Sequence, residues 1–147
     1  THARVVMVRI GMVLGRGSMA WDRLRRVFQW GGGARLGNGQ QWMPWIHVDD
    51  LVGGIIFSLE NTSVQGVVNG VAPRPERNQD FTKKLATAVK RPALFVAPGF
   101  VLRAVFGEFG DFLLGGQRLQ PKVWMAAGYQ FQHQTLESAL QELLAQG

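Results

Sequence analysis

Short apolar runs alternate with amphipathic segments along this chain of 147 residues. Residues 4–14 are rich in β-branched side chains, which is typical of a strand buried on both faces inside a parallel sheet. Ser18 is placed to cap the helix that follows. An apolar stripe at helical spacing is formed there by Met19, Leu24, Val27 and Phe28. Residues 31–44 are rich in glycine and predict an irregular connection.

The alternation continues towards the C-terminus. Residues 45–48 predict a short strand, and Asp49 or Asp50 is expected to cap the next helix. The apolar stripe of that helix consists of Leu51, Val52, Ile55, Ile56 and Leu59. A buried strand is expected at 66–71, followed by a helix that starts near Asn78 or Asp80 and carries Phe81, Leu85, Ala88 and Val89. The remaining elements are expected at 94–97 (strand), 100–106, 109–114 and 121–127 (helices, the last ended by Gly128), 129–131 (strand) and a final helix capped by Thr135.

Strands that alternate with helices predict the α/β class. The chain is 46% hydrophobic and 18% charged, which indicates a globular chain of one ordinary domain. It has no cysteine, which excludes disulfides, thiolate zinc sites and cysteine nucleophiles. No secretory signal and no membrane-spanning apolar run is present, so we expect an intracellular, cytoplasmic protein. The chain opens at Thr1, without Met, close to a strand, and this suggests a processed or truncated product.

The formal net charge is +6, and its arginines cluster at Arg16, Arg23, Arg25, Arg26 and Arg35. Such a cluster could bind nucleic acid or an anionic ligand. It is more often a solvated helix face, and no helix-turn-helix or single-strand-binding pattern accompanies it. We therefore expect no nucleic-acid partner.

The glycines at residues 31–39 superficially resemble a phosphate-binding loop. Such a loop stands between a strand and a helix, so that the helix N-terminus faces the phosphate. Here the glycines follow a helix, and no Lys-Ser or Lys-Thr pair comes after them. A flexible loop near a pocket is the better interpretation.

Two groups of side chains near residue 47 are candidates for chemistry. His47, with Asp49 and Asp50, could be a structural hydrogen-bonded junction, an acid–base pair or a metal site. Trp42 and Trp45 flank Pro44 and could line a ligand pocket or lie in the core. Tyr129 is the only tyrosine, and the place four residues later is His133 rather than Lys, so packing is its expected role.

Several segments resemble one family in the same order along the chain. Residues 9–17 (RIGMVLGRG) resemble the strand that follows the catalytic Tyr/Lys helix in extended short-chain dehydrogenases/reductases, and residues 37–51 look like the entry to the His-x-x-Asp helix of that superfamily. Residues 69–75 (NGVAPRP), 91–93, 113–117 and 128–131 are similar to the YfcH-like "epimerase family" branch of the NAD-dependent epimerase/dehydratase superfamily.

The resemblance implies the last strands of a Rossmann-like doubly wound sheet plus a small C-terminal α/β substrate lobe. Residues 1–72, with the loop 31–45, would complete the dinucleotide-binding core, and residues 73–147 would form the lobe. The Gly-x-x-Gly-x-x-Gly fingerprint and the Tyr-x-x-x-Lys pair of that family are absent here, so no catalytic residue is assigned. The implied cofactor is NADP, with NAD open. Its expected contacts are Arg9, Gly11, Val13 and Leu14.

Trp42, Trp45 and His47 are the expected substrate pocket. Sugar-nucleotide epimerases carry Arg-Asp-Tyr where this chain has Met43, Pro44 and Trp45, and a methionine cannot make charge-assisted bonds to phosphate. A UDP-sugar substrate is therefore not expected, and the tryptophans favour a flatter, more apolar molecule. The resemblance implies a fragment of an NADP(H)-dependent oxidoreductase of unknown substrate. The alternative is a cofactor-binding regulatory protein with little turnover. Expected partners are a small-molecule substrate and the missing N-terminal half, and self-association is open.

Overall fold

The computed structural model describes residues 2–108, 111 and 114–145. The strands are β1 Val6–Ile10, β2 Met12–Leu14, β3 Ala34–Leu36, β4 Trp42–Met43, β5 Trp45–His47, β6 Gly66–Gly70, β7 Glu76–Arg77 and β8 Phe95–Ala97. The helices are α1 Met19–Gln29, α2 Val48–Glu60, α3 Asn78–Val89, α4 Gly99–Phe106, α5 Lys122–Ala127 and α6 Leu136–Leu144. The α/β class is confirmed. Of the predicted helix at 109–114, residues 109, 110, 112 and 113 lie outside the described residues.

The first predicted strand is divided between two partners at Gly11. β1 pairs in parallel with β6, and β2 pairs in parallel with β5. The Gly11 amide donates to Gly70 O at 3.2 Å, whereas the next amide, that of Met12, donates to Pro44 O at 2.8 Å. A Cβ at position 11 would lie 2.8 Å from the same Pro44 oxygen, so a side chain there would disrupt this exchange of partners.

Helix α1 begins at the predicted cap, since the Ser18 side chain accepts from the Trp21 amide. The predicted apolar stripe is partly wrong. Trp21 and Phe28 are the buried residues of this helix, while Met19 and Val27 are exposed. The helix is turned so that its largest ring, rather than Met19, enters the core, which removes more apolar surface from water.

The glycine-rich connection is more regular than expected. β3 pairs in parallel with β8, and β4 pairs antiparallel with β7. The Leu36 amide donates to Oδ1 of buried Asn78 at 2.8 Å, which fixes this segment to the start of α3. The expectation of an irregular connection is therefore corrected, because β3 and β4 pair through their main chains with β8 and β7 of the second half of the chain.

Two clusters of buried side chains form the core. The larger one joins β2 and β5 to α1, α3 and α6, and its members are Leu14, Trp21, Phe28, Trp45, Ala72, Phe81, Leu85, Ala86, Leu136, Ala139, Leu140 and Leu143. The smaller one lies between β6, α2 and α5, and consists of Ile46, Leu51, Val64, Val68 and Trp124. The C-terminal helix begins at Thr135 as predicted, and α5 ends at Gly128 with a left-handed φ of 94°.

Burial on both faces was expected for the first strand, and β1 does not show it. Val5, Met7 and Ile10 keep 72%, 60% and 53% of their surface exposed. The predicted stripe of α2 is also largely solvent-facing. Of its residues only Leu51 is buried, and the exposed ones are Val52, Ile55, Ile56 and Leu59. The physical reason is that, among the described residues, β1 has a sheet neighbour on one edge only.

No helix within the described ranges combines the length and the hydropathy that crossing a lipid bilayer requires.

Candidate functional site

His47 stands at the junction where β5 becomes α2. Its Nδ1 accepts the Asp49 amide at 3.0 Å, so His47 is the helix cap, and the prediction of Asp49 or Asp50 as the cap is wrong. Its Nε2 lies 2.8 Å from Glu142 Oε2. Since Nδ1 accepts, Nε2 carries the proton and donates to the carboxylate in this hydrogen-bond network. The ring is 1% exposed, and both of its nitrogens are engaged.

Glu142 connects this junction to the end of the chain. It receives the hydrogen bond from His47 and pairs with Arg16 at 2.8 Å. The hydrogen bond from His47, followed by the positive charge of Arg16, holds the pKa of Glu142 below its ordinary value. Arg16 follows β2, and Glu142 lies on α6, so the contact fastens the last helix to the ends of β2 and β5.

Asp50 is fully buried and has a structural set of partners. Its carboxylate accepts the amides of Gln132 and His133 at 2.6 and 2.9 Å. Its carbonyl accepts the Tyr129 hydroxyl at 2.8 Å. The aspartate therefore anchors residues 129–133 to the start of α2. The His133 ring is brought within 4.2 Å of the His47 ring, measured between centroids.

The residues around Tyr129 do not form the brief strand that the sequence predicted. Tyr129 packs instead against Phe57, Trp124 and Phe131, with ring centroids 4.8–5.5 Å apart. Aromatic packing therefore takes the place of strand pairing here. Burial, with a smaller effect of Asp50, raises the pKa of Tyr129 to about 12, so its hydroxyl stays protonated.

A ligand atom from each of His47, Asp49 and His133 lies within 4.8 Å of the others, which is the spacing of a metal site. However, both nitrogens of His47 are already hydrogen-bonded, and His133 Nδ1 lies 2.9 Å from Ser138 Oγ. These contacts favour the hydrogen-bonded junction among the three interpretations that the sequence left open.

The two tryptophans of the expected pocket have different surroundings. Trp45 is 1% exposed, lies in the larger core cluster and donates from Nε1 to Arg74 O at 3.2 Å. Its position agrees with the core interpretation and leaves no ring surface for a pocket wall. Trp42 is half-buried, and the guanidinium carbons of Arg77 and Arg118 lie 4.7 and 5.2 Å from its ring centroid.

Neither arginine was predicted from the sequence as part of a site. Arg77 faces Trp42 across the β4–β7 pair, and Arg118 comes from a distant segment. Trp42 and Arg77 are too far apart in the sequence to be joined by a hairpin, and a hairpin pattern is the sequence signal that would have indicated their pairing. No local signal pointed to Arg118.

The expected cofactor contacts lie along the first strand and at its carboxyl end. Leu14 is buried in the core, Val13 packs beside the smaller cluster, and Arg9 is exposed. The missing side chain of Gly11 does not leave room for a cofactor, because Pro44 and Val71 occupy the space that a Cβ would take. For Val13 and Leu14, any contact with a cofactor would therefore be made by main-chain atoms.

Two family models match separate parts of the chain. Residues 2–69 match the NAD dependent epimerase/dehydratase family. Residues 97–143 match a domain of unknown function, DUF1731. The first match contains the elements from β1 to α2 and most of β6, and the second contains α4, α5 and all but the last residue of α6.

Relatives match nearly the whole chain. The mouse epimerase family protein SDR39U1 is 44% identical over 143 residues, which is 97% of this chain and 49% of the relative. The crystal structure of human SDR39U1 (isoform2) with NADPH has a TM-score of 0.92 at 40% identity, over 97% of this chain and 49% of that one. A nucleoside-diphosphate sugar epimerase from Corynebacterium glutamicum has a TM-score of 0.72 at 28% identity, over 96% and 26%. The chain thus spans about half the length of the curated relatives it matches, and corresponds to the C-terminal half.

Proposed function

We propose that this chain is the C-terminal half of an NADP(H)-binding oxidoreductase, because residues 2–69 match the NAD dependent epimerase/dehydratase family and residues 97–143 match DUF1731. One observation carries the proposal. The chain superimposes with a TM-score of 0.92, at 40% identity, on a protein whose crystal structure contains NADPH. In the whole protein, this half would supply one wall of the cofactor cleft and the substrate lobe.

The residues present fit the nicotinamide end of such a cofactor. Ligands of parallel α/β sheets lie at the carboxyl ends of the strands. At that end of β1, Ile10 is more than half exposed, and half-buried Met12 follows it after Gly11. This apolar surface suits one face of an aromatic ring. When bound, the cofactor would supply or accept a hydride.

The residues present do not fit the phosphates of the cofactor. The glycines of residues 31–39 follow α1 and lead into β3, so no helix N-terminus opens after them. Arg16, the cation nearest to the end of β2 in sequence, is paired with Glu142. We therefore assign the phosphate contacts to the other half of the whole protein.

The hydrogen-bonded junction has a positioning role in this proposal. His47 and Glu142 hold the end of β5, and Arg16 with Glu142 holds the end of β2. Both ends lie beside the strand segment that would face the nicotinamide. The junction would thus keep this wall of the cleft rigid and closed to water while hydride is transferred.

Calorimetric titration of the complete protein tests the proposal. We expect saturable, one-to-one binding of NADPH. Absence of binding for both NADPH and NADH would overturn it. Consumption of NADPH in the presence of carbonyl substrates then separates an oxidoreductase from a protein that only binds the cofactor.

A further inference from the structure

Two arginine side chains lie against the ring of Trp42, on one side of the proposed cleft. The β4–β7 pair places Arg77 directly opposite Trp42, with its guanidinium carbon 4.7 Å from the ring centroid. The guanidinium carbon of Arg118 lies 5.2 Å from the same centroid. Cation–π attraction compensates part of the repulsion between the two arginines. We call Trp42, Arg77 and Arg118 the Arg–Trp cluster.

Backbone packing brings the segment that carries Arg118 to this place. The Trp42 amide donates to Gly116 O at 3.2 Å. A Cβ at position 116 would lie 1.9 Å from Trp42 O, so only glycine allows the two chain segments to approach this closely. Arg118 follows two residues later. The backbone approach at Gly116 therefore brings the segment that carries Arg118 beside the ring of Trp42.

The positive charge of the Arg–Trp cluster is not neutralised within the described part of the chain. The ion pairs found there include neither Arg77 nor Arg118. Glu76, which precedes Arg77, pairs with Lys84. Asp111, the acid nearest in sequence to Arg118, pairs with Arg103 at 2.7 Å. The Arg77 Nη1 group donates to the neutral side chain of Gln40 at 2.7 Å.

The Arg–Trp cluster lies within reach of the proposed nicotinamide position. Trp42 stands two residues before Pro44, whose carbonyl accepts the Met12 amide at 2.8 Å. At about 3.3 Å per residue of extended chain, two to three residues place the cluster about 7–10 Å from this end of the strand. That separation is the length of a small molecule of a few carbon atoms.

We infer that the Arg–Trp cluster binds a carboxylate or phosphate group of the substrate, whose reacting carbon lies at the carboxyl end of β1. The inference rests on the proposed function and names a substrate class for the same cleft. It adds an anionic group to the flat, apolar substrate that Met43, Pro44 and Trp45 led us to expect. The family's arginine is absent at that place in the sequence, but two arginines from elsewhere in the chain supply cationic donors beside it. Guanidinium groups bind either anion through two parallel hydrogen bonds.

The test is a titration of the complete protein with two probes, inorganic pyrophosphate for phosphate groups and citrate for carboxylates. Arg118→Gln is the main variant, since Arg118 is exposed and its loss leaves the core intact. Arg23→Gln, at an exposed position on α1, is the matched control. We expect at least one probe to bind saturably. Its Kd should rise roughly tenfold or more in Arg118→Gln, the size expected for losing a charge-assisted contact, and stay within about twofold in Arg23→Gln. The probe that binds identifies the anionic group.

Equal Kd values for the two variants, or no saturable binding of either probe, would overturn the inference. NADPH titrations of the same samples separate this failure from failure of the proposed function. If NADPH binds and neither anion does, the Arg–Trp cluster loses its role while the cofactor proposal stands. If an anion binds in an Arg118-dependent way without NADPH binding, the cluster stands as an anion site and the cofactor proposal fails.

Discussion

The two parts of the first strand have opposite surroundings. β2 ends at Leu14, which is completely buried where α1, α3, α6 and β5 meet. Val5, just before β1, and Met7 and Ile10 on β1 are more than half exposed, and α2 exposes an apolar stripe of its own. The apolar run of residues 4–14 thus ends in a closed core at Leu14 and lies on an open surface at its other end. The open surface marks where further protein would be expected to pack, and the curated relatives are about twice as long as this chain.

The largest effect expected from this contrast is association of the isolated chain through its open side. Contiguous apolar surface together with an unpaired strand edge promotes self-association. Light scattering should show large species, and the double variant Ile55→Lys/Leu59→Lys should reduce them. Met19→Lys/Trp30→Lys, which changes two exposed apolar residues on and just after α1, is the control and should have little effect. A stable monomer at high concentration would refute the contrast.

On the closed side, Trp45→Ala should produce the largest loss of stability. Removing a fully buried tryptophan leaves a cavity in the larger cluster and should cost about 3–5 kcal/mol of unfolding free energy. Trp30→Ala is the control, because that ring is 84% exposed, and its cost should stay within about 0.5 kcal/mol. Denaturation by urea measures both. A small loss for Trp45→Ala would instead favour the pocket-wall hypothesis.

Asp50→Ala should have the next largest effect. It leaves the buried amides of Gln132 and His133 without their acceptor, at a cost of about 2–3 kcal/mol. Asp49→Ala changes the adjacent carboxylate, whose side chain is 55% exposed, and should cost far less. Thermal unfolding of the two variants provides the comparison. Similar melting temperatures would mean that residues 129–133 are not anchored by Asp50.

The smallest expected effect is on the loss of stability at acidic pH. The pKa of Glu142 is lowered in the folded state, so the hydrogen bond from His47 and the pair with Arg16 stabilise the fold above the ordinary glutamate pKa. That contribution is lost as the pH falls below the ordinary value and through the folded one. Melting temperatures recorded from about pH 6 down to about pH 3 should therefore decline less steeply in Glu142→Gln than in the wild type. Glu60→Gln, at an exposed position, should follow the wild type, and parallel curves for all three would contradict the assignment.

Local signals in the sequence predicted local structure well. Ser18, Thr135 and Gly128 act within a turn of their own helices: the first two begin their helices and Gly128 ends its helix, as expected. The cap of α2 was missed because His47 also ends a strand, and its role depends on the turn of the backbone between the two elements.

What the sequence could not show was which neighbour each apolar residue finds. The pattern of α2 identifies apolar positions, but their burial depends on chain packed from outside the helix, so Ile55 and Leu59 are exposed here. The Arg–Trp cluster was missed for a related reason. It joins residues from separate segments, and such contacts leave no periodic trace along the chain.

In the proposed two-part cofactor site, the carboxyl end of β1 forms the wall that faces the nicotinamide. Ile10→Asp in the complete protein tests this most directly, because it places a charge on the exposed apolar surface at that end and leaves the pairing at Gly11 unchanged. Met19→Asp makes the same chemical change at an exposed position on α1. In NADPH titrations followed by nucleotide fluorescence, we expect Ile10→Asp to raise the Kd roughly tenfold or more, since burying a charge against an aromatic ring is costly, while Met19→Asp leaves it unchanged. Equal NADPH affinities in the two variants, with both folded, would contradict the account.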